Sequence, residues 1–337
     1  MDTLTGGILT TVAGGILNGT FILPMKAVKK WRWENMWLGF GLFGLLLLPL
    51  LTAAATVPHL LRVYSAVSGL TLLSAAGLGV CWGVGSLLFG LGISALGLSL
   101  GYAIIMGTTA IFGTLIPAIA LDSYIFNTIR GWQLLASLAL ILAGLVFCAL
   151  AGMKRDKLGS SHQMLTGTGF GKGLTISLLA GILSACFNIG FALTAEISRT
   201  AEQLGASKSM SAFAVWVLIM GAGFLPSLVY CLYLARRNRS FSLYRFAHRN
   251  WLIVFLMGLL WVLSVALYGI GATNIGPQGA SIGWPILMSS TILTANGVGI
   301  WSGEWRGIGT AAVTRYLYVG LALLLAAVIL AGLGGVH

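Results

Sequence analysis

Ten apolar runs, near residues 6–24, 36–57, 71–93, 98–120, 131–152, 173–197, 210–234, 251–271, 278–301 and 308–334, follow one another with only short connections between them. A helix needs about 20 apolar residues to cross the hydrocarbon core of a bilayer. Ten such helices nearly exhaust the 337 residues and leave no length for a soluble domain. Only 8% of the residues are charged, against about 25% in soluble domains, too few to coat a globule in water. The expected fold is therefore an all-α integral membrane protein with ten transmembrane helices. Two of its boundaries rest on the turn signals Leu96-Gly97 and Asn274-Ile275-Gly276-Pro277; without them the count falls to nine or eight.

The net charge of +12 does not point to nucleic acid, because the basic residues are scattered beside apolar runs, where they report membrane orientation. Fifteen of the 19 Lys and Arg fall in odd-numbered connections, and only Arg62, Arg130, Arg199 and Lys208 in even-numbered ones. Positive connections stay on the cytoplasmic side, so both termini are expected outside the cytoplasm. The stretch 153–172 is then a cytoplasmic linker. The four cysteines, Cys81, Cys148, Cys186 and Cys231, each stand alone in an apolar run, which fits packing rather than a disulfide framework or a metal site. The N-terminus lacks the basic region of a cleaved signal peptide, and the first run is expected to be a permanent helix.

Laying the two halves over one another exposes a repeat. Gly79-Val-Cys-Trp82 and Phe89-Gly90-Leu-Gly92 match Gly258-Leu-Leu-Trp261 and Tyr268-Gly269-Ile-Gly271 at a constant offset of 179 residues. Gly15-Ile-Leu-Asn18 matches Gly181-Ile-Leu-Ser184, and Ile104-Ile-Met106 matches Ile286-Leu-Met288. Residues 1–152 and 173–337 are thus expected to form two five-helix repeats. Five is odd, so the second repeat enters the membrane from the opposite side and the repeats are inverted. That arrangement is characteristic of secondary transporters, whose site lies near the bilayer midplane between the halves.

Polar side chains are costly in lipid and mark sites or helix contacts. Near mid-span the chain offers Asn18, Asn188, Ser289 and Asn296, and Gln278 where the ninth run begins. An amide has more hydrogen-bonding groups than one local carbonyl can satisfy, which makes the three asparagines the stronger candidates; helix packing is the alternative for all of these residues. Of the eleven tryptophans, Trp82, Trp261 and Trp284 lie deep in their runs. An indole offers a flat apolar face to the C–H side of a sugar and an N–H for a hydroxyl, so the repeat-related Trp82 and Trp261 are expected to flank a central site.

All seven acids and four histidines fall in connections or near span ends. A neutral cargo suits such a lining, because no buried countercharge serves an ion. The nearest approaches to a proton-coupling carboxylate are Glu196 and Glu304. No metal ligand set, cofactor motif, Walker loop or intramembrane protease constellation is present, and the protein is not expected to be an enzyme.

The segment Pro24-Met-Lys26-Ala-Val-Lys29-Lys30-Trp31-Arg-Trp33-Glu34-Asn-Met36-Trp37, the stretch from Trp82-Gly83-Val-Gly85 through Leu96-Gly97-Leu-Ser99-Leu-Gly101 to Gly113-Thr114-Leu115-Ile-Pro117, and Gly181-Ile-Leu-Ser184-Ala185, Trp261 and Glu304-Trp305 carry a family likeness. Over most of its length the chain resembles the L-rhamnose-proton symporter family of the drug/metabolite transporter superfamily. The resemblance implies a ten-helix fold of that superfamily, a bacterial inner-membrane location and proton-driven uptake of a 6-deoxyhexose. The run Gly276-Pro277-Gln278-Gly279-Ala-Ser281-Ile-Gly283-Trp284-Pro285 departs from the family pattern, so a related hexose is an alternative cargo. Export or facilitated passage of another small neutral metabolite, and a sugar receptor that does not transport, are the rival functions. The expected partners are a neutral sugar, protons and the lipid bilayer.

Overall fold

The computed structural model describes residues 3–158, 168–245, 248–302 and 311–333. Among them there are helices and no strands. The long helices are α1 (Thr3–Thr20), α2 (Trp33–Thr56), α3 (Gly69–Leu96), α4 (Leu98–Leu121), α5 (Ile129–Leu158), α6 (Thr168–Leu193), α7 (Phe213–Arg237), α8 (Arg249–Ile275), α9 (Gly279–Trp301) and α10 (Ala311–Leu333). Ser68 caps the start of α3 by accepting from the Thr71 N–H at 3.1 Å, which satisfies one of the amides a helix start leaves open. The two boundaries expected from turn signals are both helix ends. Gly97, at φ 84°, separates α3 from α4, and Gly276, at φ 111°, closes α8; glycine adopts this left-handed region without steric penalty.

Nine segments among the described residues are long and apolar enough to cross a membrane. The remaining long helix, α9, has 23 residues, but its Gly, Ser, Thr and Asn content sets it apart. Every residue from Gly279 to Ile292 is buried. A helix enclosed by its neighbours meets protein and not lipid, so it can carry small and polar residues that a lipid-facing helix cannot.

The bundle is built from close pairs. α1 packs on α8 and α9, and α6 packs on α3 and α4; α2 lies against α8, α7 against α3, and α5 against α10. Glycine permits these approaches, because helix backbones meet closely only where side chains are small. A Cβ on Gly15 would lie 2.5 Å from Ser290 Cβ and 2.9 Å from the Leu287 carbonyl oxygen; one on Gly181 would lie 2.5 Å from Thr108 Cβ and 2.8 Å from the Ile105 oxygen. Likewise a Cβ on Gly44 would lie 2.9 Å from Gly258 Cα, and one on Gly223 would lie 2.9 Å from the Gly79 oxygen.

At the end of the bundle that carries Lys29 and Arg239, the α1–α2 connection is held to the α7–α8 connection. Glu34, only 4% exposed, accepts from Asn238 Nδ2 and Ser240 Oγ, both at 2.9 Å. Asn250 donates to the Lys29 carbonyl at 2.7 Å, and Trp31 donates to the Leu243 carbonyl at 3.0 Å. Burial pushes the Tyr244 hydroxyl above its usual range against the opposing effect of its bond to Asn35. Glu34 is one of the acids that fall near span ends in the sequence; the fold encloses it because the α1–α2 and α7–α8 connections converge there.

Candidate functional site

At the level where α3, α6 and α8 meet, four aromatic rings stand at the centre of a larger cluster that also takes in Phe40 and Trp216. Trp82 and Trp261 stack with centroids 6.0 Å apart and planes 13° from parallel. Phe187 lies 4.9 Å from Trp82, and Phe21 lies 5.1 Å from Trp261. The two indoles meet each other directly. A sugar ring between them would require two van der Waals separations, together about 7–8 Å, so in this conformation they close the centre and do not flank a gap. The Trp261 Nε1–H is buried and has no acceptor. An unpaired buried donor of this kind costs about 1–3 kcal/mol and is a ready ligand for a hydroxyl.

Asn18 stands beside this cluster. α1 runs antiparallel to α8, with Gly7 against Gly271 and Gly14 against Ser264, and this register brings Asn18 and Phe21 level with Trp261. Asn18 Nδ2 donates to Thr291 Oγ1 at 3.2 Å, while its Oδ1 is buried without a partner. α1 thus offers an unpaired acceptor and α8 an unpaired donor.

Asn188 is differently employed. It is fully buried, and its Nδ2 donates to the Gly113 carbonyl at 2.7 Å and to the Ala280 carbonyl at 3.0 Å. Its Oδ1 accepts a short bond from the Tyr268 hydroxyl. One side chain of α6 therefore ties α4, α8 and α9 together. Trp284 seals the same region, donating from Nε1 to the Thr109 carbonyl at 3.2 Å, with its ring against Gly113. Tyr268 is not marked by the mid-span amides or indoles in the sequence; its place in the repeated Tyr268-Gly269 motif is the signal the sequence offers. Phe21 and Phe187 were missed because an apolar ring within an apolar run carries no local signal.

The remaining candidates are spread along the bundle. Gln278 sits at the α9 N-terminus and donates to Asp122 Oδ2 at 2.6 Å, leaving Oε1 unpaired. Ser289 is buried with its hydroxyl unpaired. It lies one turn beyond Ile286, on the face that packs with Ala331 of α10. Asn296 donates to the Ile292 carbonyl of its own helix at 2.9 Å. Glu196 is exposed near the start of α3 and accepts from Thr71 Oγ1 at 2.8 Å. Glu304 lies outside the described residues. Among the described residues no group of His, Cys, Asp and Glu has the arrangement to hold a metal ion.

Comparison with known proteins extends over the whole chain. The family described as L-rhamnose-proton symport protein matches residues 1–336. Relatives named L-rhamnose-proton symporter from Escherichia coli O1:K1, Shigella boydii serotype 18 and Shigella boydii serotype 4 are each 30% identical to it over 343 residues, covering 99% of this chain and 98% of theirs.

Proposed function

The chain belongs to the L-rhamnose-proton symport protein family, and on that premise we propose that it is a secondary transporter of the inner membrane that takes up L-rhamnose or a closely related neutral sugar together with protons. The match along residues 1–336 is the observation that carries this reading. The same family is one of transporters, which agrees with the missing catalytic motifs.

The architecture proposed is ten spans in two inverted halves, 1–152 and 173–337, with α9 as the tenth span and both termini outside. Of the linker 153–172, residues 159–167 lie outside those described. Paired contacts support the inversion. Gly44 meets Gly258, and their counterparts 179 residues away, Gly223 and Gly79, meet each other. Gly15 meets Leu287 and Ser290 as Gly181 meets Ile105 and Thr108. The aromatic centre repeats the pattern, since Phe21 on Trp261 mirrors Phe187 on Trp82. Contacts exchanged in this way are what a two-fold axis in the membrane plane produces.

In this reading Trp82 and Trp261 part to admit the sugar, whose hydroxyls bond to Asn18 Oδ1 and Trp261 Nε1 while its C–H face rests on the indoles. Asn188 and Trp284 hold one end of the pathway shut. Gln278, Ser289 and Asn296, spread over about 27 Å of α9, supply further hydrogen-bonding groups along the pathway and not at one bound sugar. Glu196 and Glu304 are the candidates for proton coupling.

The sugar site is tested by following thermal stability of the purified protein against L-rhamnose concentration, because a ligand that binds the folded state raises its melting point. The wild type is expected to be stabilised. Asn18→Ala is expected to raise the apparent dissociation constant about tenfold, equal to about 1.4 kcal/mol, with the unliganded melting point lowered only modestly, since the one bond lost within the protein is that from Nδ2 to Thr291 Oγ1. An unchanged dissociation constant would remove Asn18 from the site.

A further inference from the structure

α7 carries an apolar ridge that ends in a cation. Leu225, Val229 and Tyr233 are each more than half exposed, and Arg237, the next residue in the same four-residue step, is exposed as well; residues four apart share a helix face. Beside this ridge Tyr230 meets Trp33 edge-on at 6.3 Å, and Trp33 stacks on Trp37 at 5.6 Å. Trp33 directly follows Arg32, and both are exposed. Amphipathic rings of this kind favour the headgroup level of a bilayer.

The cations around the ridge come from two connections that are tied together. Asn238 and Ser240 donate to Glu34, Asn250 to the Lys29 carbonyl and Trp31 to the Leu243 carbonyl. Between these bonded residues stand Lys30, at φ 66°, and Arg239, at φ 52°, both in the left-handed region that side chains rarely adopt. Such conformations persist where surrounding bonds over-determine them, and they gather at ligand clamps. Lys29, Lys30, Arg32, Arg237, Arg239 and Arg245 are all exposed. The only acid in residues 24–37 and 235–250 is Glu34, and it is buried in the join. Neither segment exposes an acid to neutralise this surface.

We propose that the surface is a binding site for an anionic glycerophospholipid, with its phosphate held by Arg32 and Arg237 and an acyl chain along Leu225, Val229 and Tyr233. Guanidinium groups bind phosphate oxygens through paired N–H donors. A zwitterionic headgroup carries its own ammonium and gains little from a row of cations, whereas phosphatidylglycerol keeps its full negative charge. Arg32 lies two residues before Glu34 and Arg237 one before Asn238, so the bound lipid spans the join between the two connections. Its place in the cytoplasmic leaflet rests on the proposed orientation; the headgroup chemistry does not.

The test equilibrates the full-length protein in neutral detergent with equimolar phosphatidylglycerol and phosphatidylcholine, recovers it by size exclusion and measures the retained lipids by mass spectrometry. Each basic residue near an anionic lipid is worth about fivefold in binding, so phosphatidylglycerol is expected in at least about tenfold excess. Arg32→Gln combined with Arg237→Gln is expected to lower that excess at least about tenfold, while Arg199→Gln, in the connection that leads into the far end of α7, keeps it. Should the double variant not fold, the wild type at about 1 M salt, where charges are screened beyond about 3 Å, is expected to lose the preference. Equal retention of both lipids, an excess that survives the double substitution or the salt, or displacement of phosphatidylglycerol by an equal concentration of inorganic phosphate overturns the proposal. A phosphatidylglycerol excess in protein that takes up no L-rhamnose supports the lipid site and contradicts the transport reading instead.

Discussion

Gly83→Leu is expected to prevent assembly of the bundle. A Cβ at this position would lie 2.1 Å from the Gly223 carbonyl oxygen and 2.9 Å from its carbonyl carbon, a backbone overlap that no rotamer relieves. α3 and α7 would have to move apart, and Trp82, which packs over Gly223, would move with α3. Ordinary overpacking costs about 1–3 kcal/mol; displacing two helices at a backbone contact should exceed about 3 kcal/mol. The measurement is the yield of monodisperse protein on size exclusion in detergent, expected to fall to near zero. Gly90→Leu on the same helix is the control, because nothing lies within 4 Å of the added carbon. The proposed inverted arrangement adds a stricter expectation. Gly258→Leu, at the counterpart contact with Gly44 where the added Cβ meets the Gly44 nitrogen at 2.8 Å, should be damaging in the same sense. Wild-type yield from Gly83→Leu would mean that α3 and α7 do not meet as described.

Trp261→Ala is expected to lower sugar uptake at least a hundredfold, equivalent to about 2.7 kcal/mol, in protein that still reaches the membrane. The substitution removes one partner of the central stack with Trp82 and the ring that Phe21 packs against. It also removes the buried N–H that has no partner within the protein. Trp261→Phe separates these roles, since it keeps an aromatic face and deletes the donor. Its apparent dissociation constant for L-rhamnose should rise about tenfold, the value of one hydrogen bond to a buried group, while the melting point without sugar stays close to the wild type. Equal affinity in Trp261→Phe and wild type would show that Nε1 does not bind the sugar.

The parts of the fold that depend on length and local chemistry could be read from the chain alone. Ten long helices follow from the apolar runs, and Gly97 and Gly276 end helices because their backbone enters the left-handed region. What escaped was set by tertiary geometry. α9 looked like one more span, yet it is the most enclosed helix, a property of its neighbours and not of its own residues. Asn18 and Asn188 looked equivalent as mid-span amides, but Asn188 has its hydrogen-bonding groups engaged by α4, α8 and α9, whereas Asn18 keeps a free acceptor. Trp82 and Trp261 were expected on opposite walls and instead touch. Glu34 gave no sign of burial, because the residues that enclose it lie about 200 positions further along the chain.

The most direct test of the account is accumulation of labelled L-rhamnose by the purified protein in sealed liposomes carrying an inside-negative potential, with and without a protonophore. At 100 mV each proton that enters supplies about 2.3 kcal/mol, enough to concentrate a neutral sugar about fiftyfold when one proton accompanies each molecule. Accumulation above the external concentration that collapses when the protonophore is added is expected. Absence of uptake, or uptake that stops at equal concentrations regardless of the gradient, would contradict it.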